Sequence, residues 1–145
     1  MSKLMLDTAA MEEDFFADSA LIGIGSALPA YKLCWLINNH FSTKFIRQPE
    51  LDIELKKKDN KVYYFAVYQY CVPLSGCKHL LYKVKNEKET ILPEAKQLDY
   101  IWLIQNYNIE DDAATIAQLL RTLPDIQLAQ QLDADKMKSL SNLLV

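Results

Sequence analysis

The run Asp99-Tyr100-Ile101-Trp102-Leu103-Ile104-Gln105-Asn106 decides how this chain is read. Its β-branched and aromatic residues favour a strand. Tyr100, Trp102 and Ile104 fall on one face, Ile101 and Leu103 on the other. Both faces are apolar, so the strand is central and covered on two sides. Beyond it, Asn108 is placed to cap a helix whose first turn carries Glu110, Asp111 and Asp112, acids suited to the positive end of the dipole. Ala113, Ile116, Ala117 and Leu120 recur as one buried stripe, and Pro124 ends the helix. Ile126, Leu128 and Leu132 then alternate with Gln127, Ala129 and Gln131 as a half-buried strand. Asp133 is placed to cap a short final helix, Ala134 to Leu140. Strand, helix and strand between Asp99 and Leu132 occupy about thirty residues, the size of a β-α-β unit and the layout of half a ferredoxin-like domain.

Towards the N-terminus, Pro93 and Glu94 start a short helical turn. His79 to Lys85 alternates, with Leu80, Tyr82 and Val84 on one face. Pro73, Ser75 and Gly76 form a turn, preceded by a tyrosine-rich strand from Val62 to Cys71. Leu51 to Leu55 is a further strand, joined to it by the turn at Asp59-Asn60. Pro29 opens a helix reaching about Phe41. Leu33, Cys34, Leu36, Ile37 and Phe41 cover most of its circumference, with Tyr31 and Trp35 beside them and a polar wedge of Lys32 and Asn39. Such a helix is buried on several sides. Phe15 to Ile24 reads as a first strand, although imperfect alternation leaves a helix open. The expected order is β-α-β-β-β-β-α-β-α: an α+β fold with a mostly antiparallel sheet and helices on one face. Residues 1–13 are expected as a mobile lead-in and 14–145 as a single domain.

The 145 residues suit one domain, and 50% hydrophobic with 24% charged residues is a globular composition. The net charge of −3 and the lack of a basic stripe argue against a nucleic-acid partner. Lys56-Lys57-Lys58 reads as a solvated turn. No apolar run approaches a membrane span, and Met1 to Leu6 lacks the core of a secretory signal. Three cysteines without paired spacing read as reduced thiols, so a cytoplasmic location is expected.

Several motifs invite a functional reading. Gly23-Ile24-Gly25 between a strand and a helix imitates a dinucleotide fingerprint, but Leu28 stands where a third small residue is needed. The glycines then serve bending and packing. Cys71, Cys77 and His79 flank one turn, short of the four ligands of a structural zinc site. Cys34 and His40, six apart in a helix, lie on different faces. Cys34 inside an apolar helix is expected to have a raised pKa and an inert thiol. Glu94 and Asp99 could pair as general acid and base. The structural alternative puts Glu94 at a positive helical end and Asp99 in a capping role. No catalytic, cofactor or metal residue is assigned.

The stretch Leu92-Pro93-Glu94-Ala95-Lys96-Gln97-Leu98-Asp99-Tyr100 resembles the signature of the IPExxxVDY family of small bacterial proteins, with Leu92 for Ile and Leu98 for Val. Leu21-Ile22-Gly23-Ile24, Tyr31 to Asn38, Leu123-Pro124-Asp125-Ile126, Asp133 to Lys138 and Asn142-Leu143-Leu144 also resemble that family. The resemblance implies a bacterial, cytoplasmic, stand-alone domain. The family's function is not known, so it supplies no site residues beyond the motif's Leu92, Pro93, Glu94, Leu98, Asp99 and Tyr100.

Two functions are expected from the residues. The first is a non-enzymatic protein that forms a homodimer or docks on a protein partner, with Trp35, Tyr64, Tyr68 and Tyr70 as candidate contacts, because tyrosine and tryptophan suit surfaces that are half wet. The second is a regulatory domain binding a small-molecule metabolite near Gly23, Gly25 and Asn108. An enzyme would require Glu94, Asp99 or His79 to converge in a pocket.

Overall fold

The computed structural model describes residues 19–74, 77–105, 110–133 and 140–143. The expected lead-in 1–13, the cap at Asn108 and most of the expected final helix lie outside the described residues.

The central strand is β9 (Tyr100–Gln105), and all six of its residues are buried. It pairs antiparallel with β1 (Ala20–Gly25) on one side and β6 (Lys78–Lys83) on the other. β10 (Leu128–Leu132) pairs with β1, β5 (Val67–Cys71) with β6, and β2 (Ile46–Arg47) with β5. The sheet order is β10-β1-β9-β6-β5-β2. Helix α1 (Ala30–Phe41) leads from β1 towards the strands that end at β6, and α2 (Glu110–Arg121) joins β9 to β10. β1 and β6 both oppose β9, so they run parallel with β9 between them. β9 and β10 likewise run parallel with β1 between them. These are two interleaved split β-α-β units, a ferredoxin-like arrangement. The sequence suggests that character for the C-terminal half, and the sheet order extends it to both halves.

Both helices lie on one face of the sheet. Leu33, Cys34 and Ile37 of α1 and Ala113, Ala117 and Leu120 of α2 share a core with Ile22, Ile24, Tyr100, Trp102 and Ile104. The other face carries Leu21, Leu80, Tyr82, Ile101 and Leu103. The alternation read in β9 and β6 therefore holds residue by residue. Among the described residues, no α-helix covers this second face. A hairpin of β3 (Ile53–Lys56) and β4 (Val62–Phe65) covers it, with the segment from Ile91 to Leu98. A second small hairpin, β7 (Lys85–Asn86) with β8 (Glu89–Thr90), leads into that segment.

The structure corrects several boundaries. The strand expected from Val62 to Cys71 divides at Ala66, because β4 leaves the main sheet to pair with β3. Phe65 and Val67, on either side of the division, both join the second-face core. The short strands β2, β7 and β8 were not expected, being two residues each. The first strand spans Ala20–Gly25, and residues 15–18 of the expected strand lie outside the described residues. Ala129 is buried against the helices, and Leu128 and Leu132 pack on the opposite core. β10 is thus covered on both faces, not one. A 3-10 turn at Leu140–Leu143 follows, and Tyr82 donates its hydroxyl to the Leu143 carbonyl at 2.7 Å.

Candidate functional site

The segment Leu92 to Tyr100 is a clasp. Pro93 presets φ for a 3-10 turn, Pro93–Ala95. Ala95 N–H donates to Leu92 O and Leu98 N–H to Ala95 O. Leu92 and Leu98 are fully buried, and Leu98 lies over Gly23. The chain then meets the end of β1, where Asp99 N–H donates to Ile24 O at 2.9 Å. The Asp99 side chain turns back to the loop after Gly25. Its Oδ2 accepts Ser26 N–H at 2.9 Å, and its Oδ1 lies 3.4 Å from Lys85 Nζ. The Tyr100 hydroxyl donates to Leu28 O. Burial, then the Asp99 charge, push that hydroxyl's pKa well above the ordinary tyrosine range.

The loop has further ties. Ser26 Oγ donates to Asp125 O at 2.8 Å and accepts Leu28 N–H at 3.2 Å. Ala27 N–H donates to Gln127 Oε1, and Gln127 N–H to Gly25 O. Ser26 is buried and its N–H must find an acceptor, which Asp99 supplies just before β9, while the segment before β10 ties the more open residues. Among the described residues, no buried side-chain nitrogen or oxygen lacks a partner.

Against this loop lies an open depression of about 200 Å³. It is lined by Ser26, Leu28 and Pro29 of the loop, by Lys83, Lys85 and Glu87, and by Asp99 and Tyr100. Asp99 reaches it; Glu94 and His79 do not line it. Glu94 is exposed in the first turn of the Pro93–Ala95 segment. Gly23 and Gly25 do not line it, and Asn108 lies outside the described residues.

Neither glycine holds open space for a phosphate. A Cβ at Gly23 would lie 2.7 Å from both Leu98 methyls, and one at Gly25 would lie 3.0 Å from Leu128 Cβ. The dinucleotide likeness is therefore occupied by the protein's own side chains.

His79 and Cys77 do meet, with Nε2 3.6 Å from Sγ. Trp102 Nε1 lies 3.0 Å from His79 Nδ1. An indole N–H only donates, so Nδ1 accepts and the neutral ring carries its proton on Nε2. In that tautomer Nε2 has no lone pair for the thiol proton, so His79 does not activate Cys77. Cys71 is exposed and Cys77 buried. Among the described residues, no group of three or more His, Cys, Asp and Glu is arranged to hold a metal. Burial pushes the Cys34 thiol up, with Asn38 partly opposing, as expected for an inert thiol. His40, exposed at the end of α1, is turned away from it.

The four candidate contacts do not share a surface. Trp35 is 68% exposed on the outer side of α1, with Tyr31 one turn before it. Tyr64 is exposed on the outer side of the β3–β4 hairpin, which covers the other face of the sheet. Tyr68 is 9% exposed, with the Arg47 guanidinium over its ring at 5.7 Å. Tyr70 is half-buried and stacks on His79 at 5.5 Å. The break at Ala66 separates Tyr64 from the other two.

Sequence reasoning missed Ser26, Lys83 and Lys85 as neighbours of Asp99. Nothing local signals a partner 73 residues away. Comparison with family models, curated proteins and solved structures found no match. Among the described residues, no helix is long and apolar enough to cross a membrane.

Proposed function

We propose that this is a non-enzymatic domain that self-associates through the outer face of α1. The carrying observation is Trp35, a large aromatic residue 68% exposed at mid-helix, with Tyr31, 65% exposed, four residues earlier. Rings spaced this way form one ridge. A two-fold contact sets one patch against its copy, so Tyr31 of one chain would meet Trp35 of the other. Aromatic residues suit such contacts because they bring large area at low entropic cost.

Membership in the IPExxxVDY family and a bacterial cytoplasmic location belong to the same reading. The motif from Leu92 to Tyr100 supports the first. The three free cysteines support a reducing compartment. The test is molar mass in solution, by light scattering after size exclusion. The expected result is a dimer for the natural chain and a monomer for Trp35→Ser. A natural chain that runs as a monomer at high concentration overturns self-association and leaves docking on a different protein.

A second reading, a regulatory domain that binds a small metabolite, is favoured by the depression beside Ser26 and Lys83. A thermal-shift screen against metabolites tests it, since a ligand that binds only the folded state raises Tm.

A further inference from the structure

We infer that the depression between the Ser26–Pro29 loop and the Lys83–Glu87 segment takes a small zwitterion of the amino-acid type. This rests on the second reading above and names its ligand class.

The walls are held before any ligand arrives. Ser26 is fixed through its N–H to Asp99 and through Oγ to Asp125 O, and Leu28 through its carbonyl to the Tyr100 hydroxyl. Preorganised walls lower the ordering cost of binding, which matters most for a ligand with few contacts. The volume, about 200 Å³, is below that of sites for drug-sized molecules. An open depression of this size admits a small polar molecule.

The charges suit a ligand carrying both signs. Lys85 is held by Asp99, whereas half-buried Lys83 has no ion pair among the described residues. Lys83 sits directly across from Tyr100 in the β6–β9 ladder, beside the loop. It can receive a carboxylate. Glu87, exposed at a positive-φ turn and lining the depression, can receive an ammonium. A simple anion would meet both Glu87 and Asp99, and a simple cation both lysines. A zwitterion pairs each end with its opposite.

The test is an amide chemical-shift titration of the full chain with L-alanine, alongside propionate and ethylamine as its two halves. The expected result is saturable shifts at Ser26, Leu28, Lys83 and Tyr100 with millimolar L-alanine, at least about tenfold tighter than either half. Lys83→Met and Glu87→Gln should each weaken binding several-fold, with Lys78→Met as the unaffected control. Equal binding of propionate and L-alanine overturns the zwitterion but keeps a ligand site. No saturable shift with L-alanine overturns the assignment, and the wider metabolite screen then decides the second reading separately.

Discussion

Asp99 Oδ2 accepts the backbone N–H of Ser26 at 2.9 Å, across 73 residues of chain. The bond joins the start of the central strand to the loop that launches α1. The same carboxylate also faces Lys85. Removing it leaves a part-buried N–H without its acceptor. Asp99→Ala should cost about 1–3 kcal/mol in urea unfolding. Asp99→Asn keeps an acceptor oxygen and should cost less. Equal losses for the two variants would mean that the charge, and not the hydrogen bond, matters.

Leu98 fills the space that a side chain at Gly23 would need. Leu98 is fully buried, so its methyls cannot swing away. Gly23→Ala should destabilise by about 1–3 kcal/mol through overpacking. Leu98→Ala should cost roughly 2–5 kcal/mol through the cavity it leaves. The double variant should lose less than the sum, because the new methyl enters the vacated space. Simple additivity would show that the two positions do not touch in solution.

Tyr82 and Tyr100 are protonated in the folded protein well beyond the ordinary tyrosine range, chiefly because of burial. In the unfolded chain they ionise near pH 10. Stability is therefore unaffected by them below about pH 10 and falls as pH rises further, since the unfolded state then releases protons that the folded state keeps. The limiting slope is about 1.4 kcal/mol per pH unit for each such tyrosine. Urea midpoints across the alkaline range measure it. Tyr82→Phe should flatten the slope, and an unchanged slope would exclude Tyr82 as its source.

Cys71 is exposed, whereas Cys34 and Cys77 are buried, and the Cys34 thiol is pushed up by desolvation. Iodoacetamide at neutral pH should label Cys71 alone in the native protein and all three cysteines in urea. Mass spectrometry reads the difference. Fast native labelling of Cys77 would show that His79 can take its proton, against the tautomer set by Trp102.

The sequence by itself determined the α+β class, the central position of Tyr100–Gln105 and the buried stripe of α2. These follow from short-range periodicity and helix-end chemistry, which each segment carries alone. It also placed Pro93 and Glu94 in a helical turn and anticipated the upward push on the Cys34 thiol. Only the tertiary structure decided which elements are neighbours. The pairing of β1 with both β9 and β10, the departure of β4 from the sheet at Ala66 and the covering of the second face by a hairpin have no local signature. Each depends on which apolar surface is left uncovered once the others have packed. The same holds for the site. Asp99 was visible as a capping residue, but its partner Ser26, in the loop after β1, and its neighbour Lys83, in β6, come from distant parts of the chain. The tyrosines of one sequence pattern were likewise divided, Tyr68 into the core and Tyr64 to the surface, because a single break in the strand sends them to different sheets.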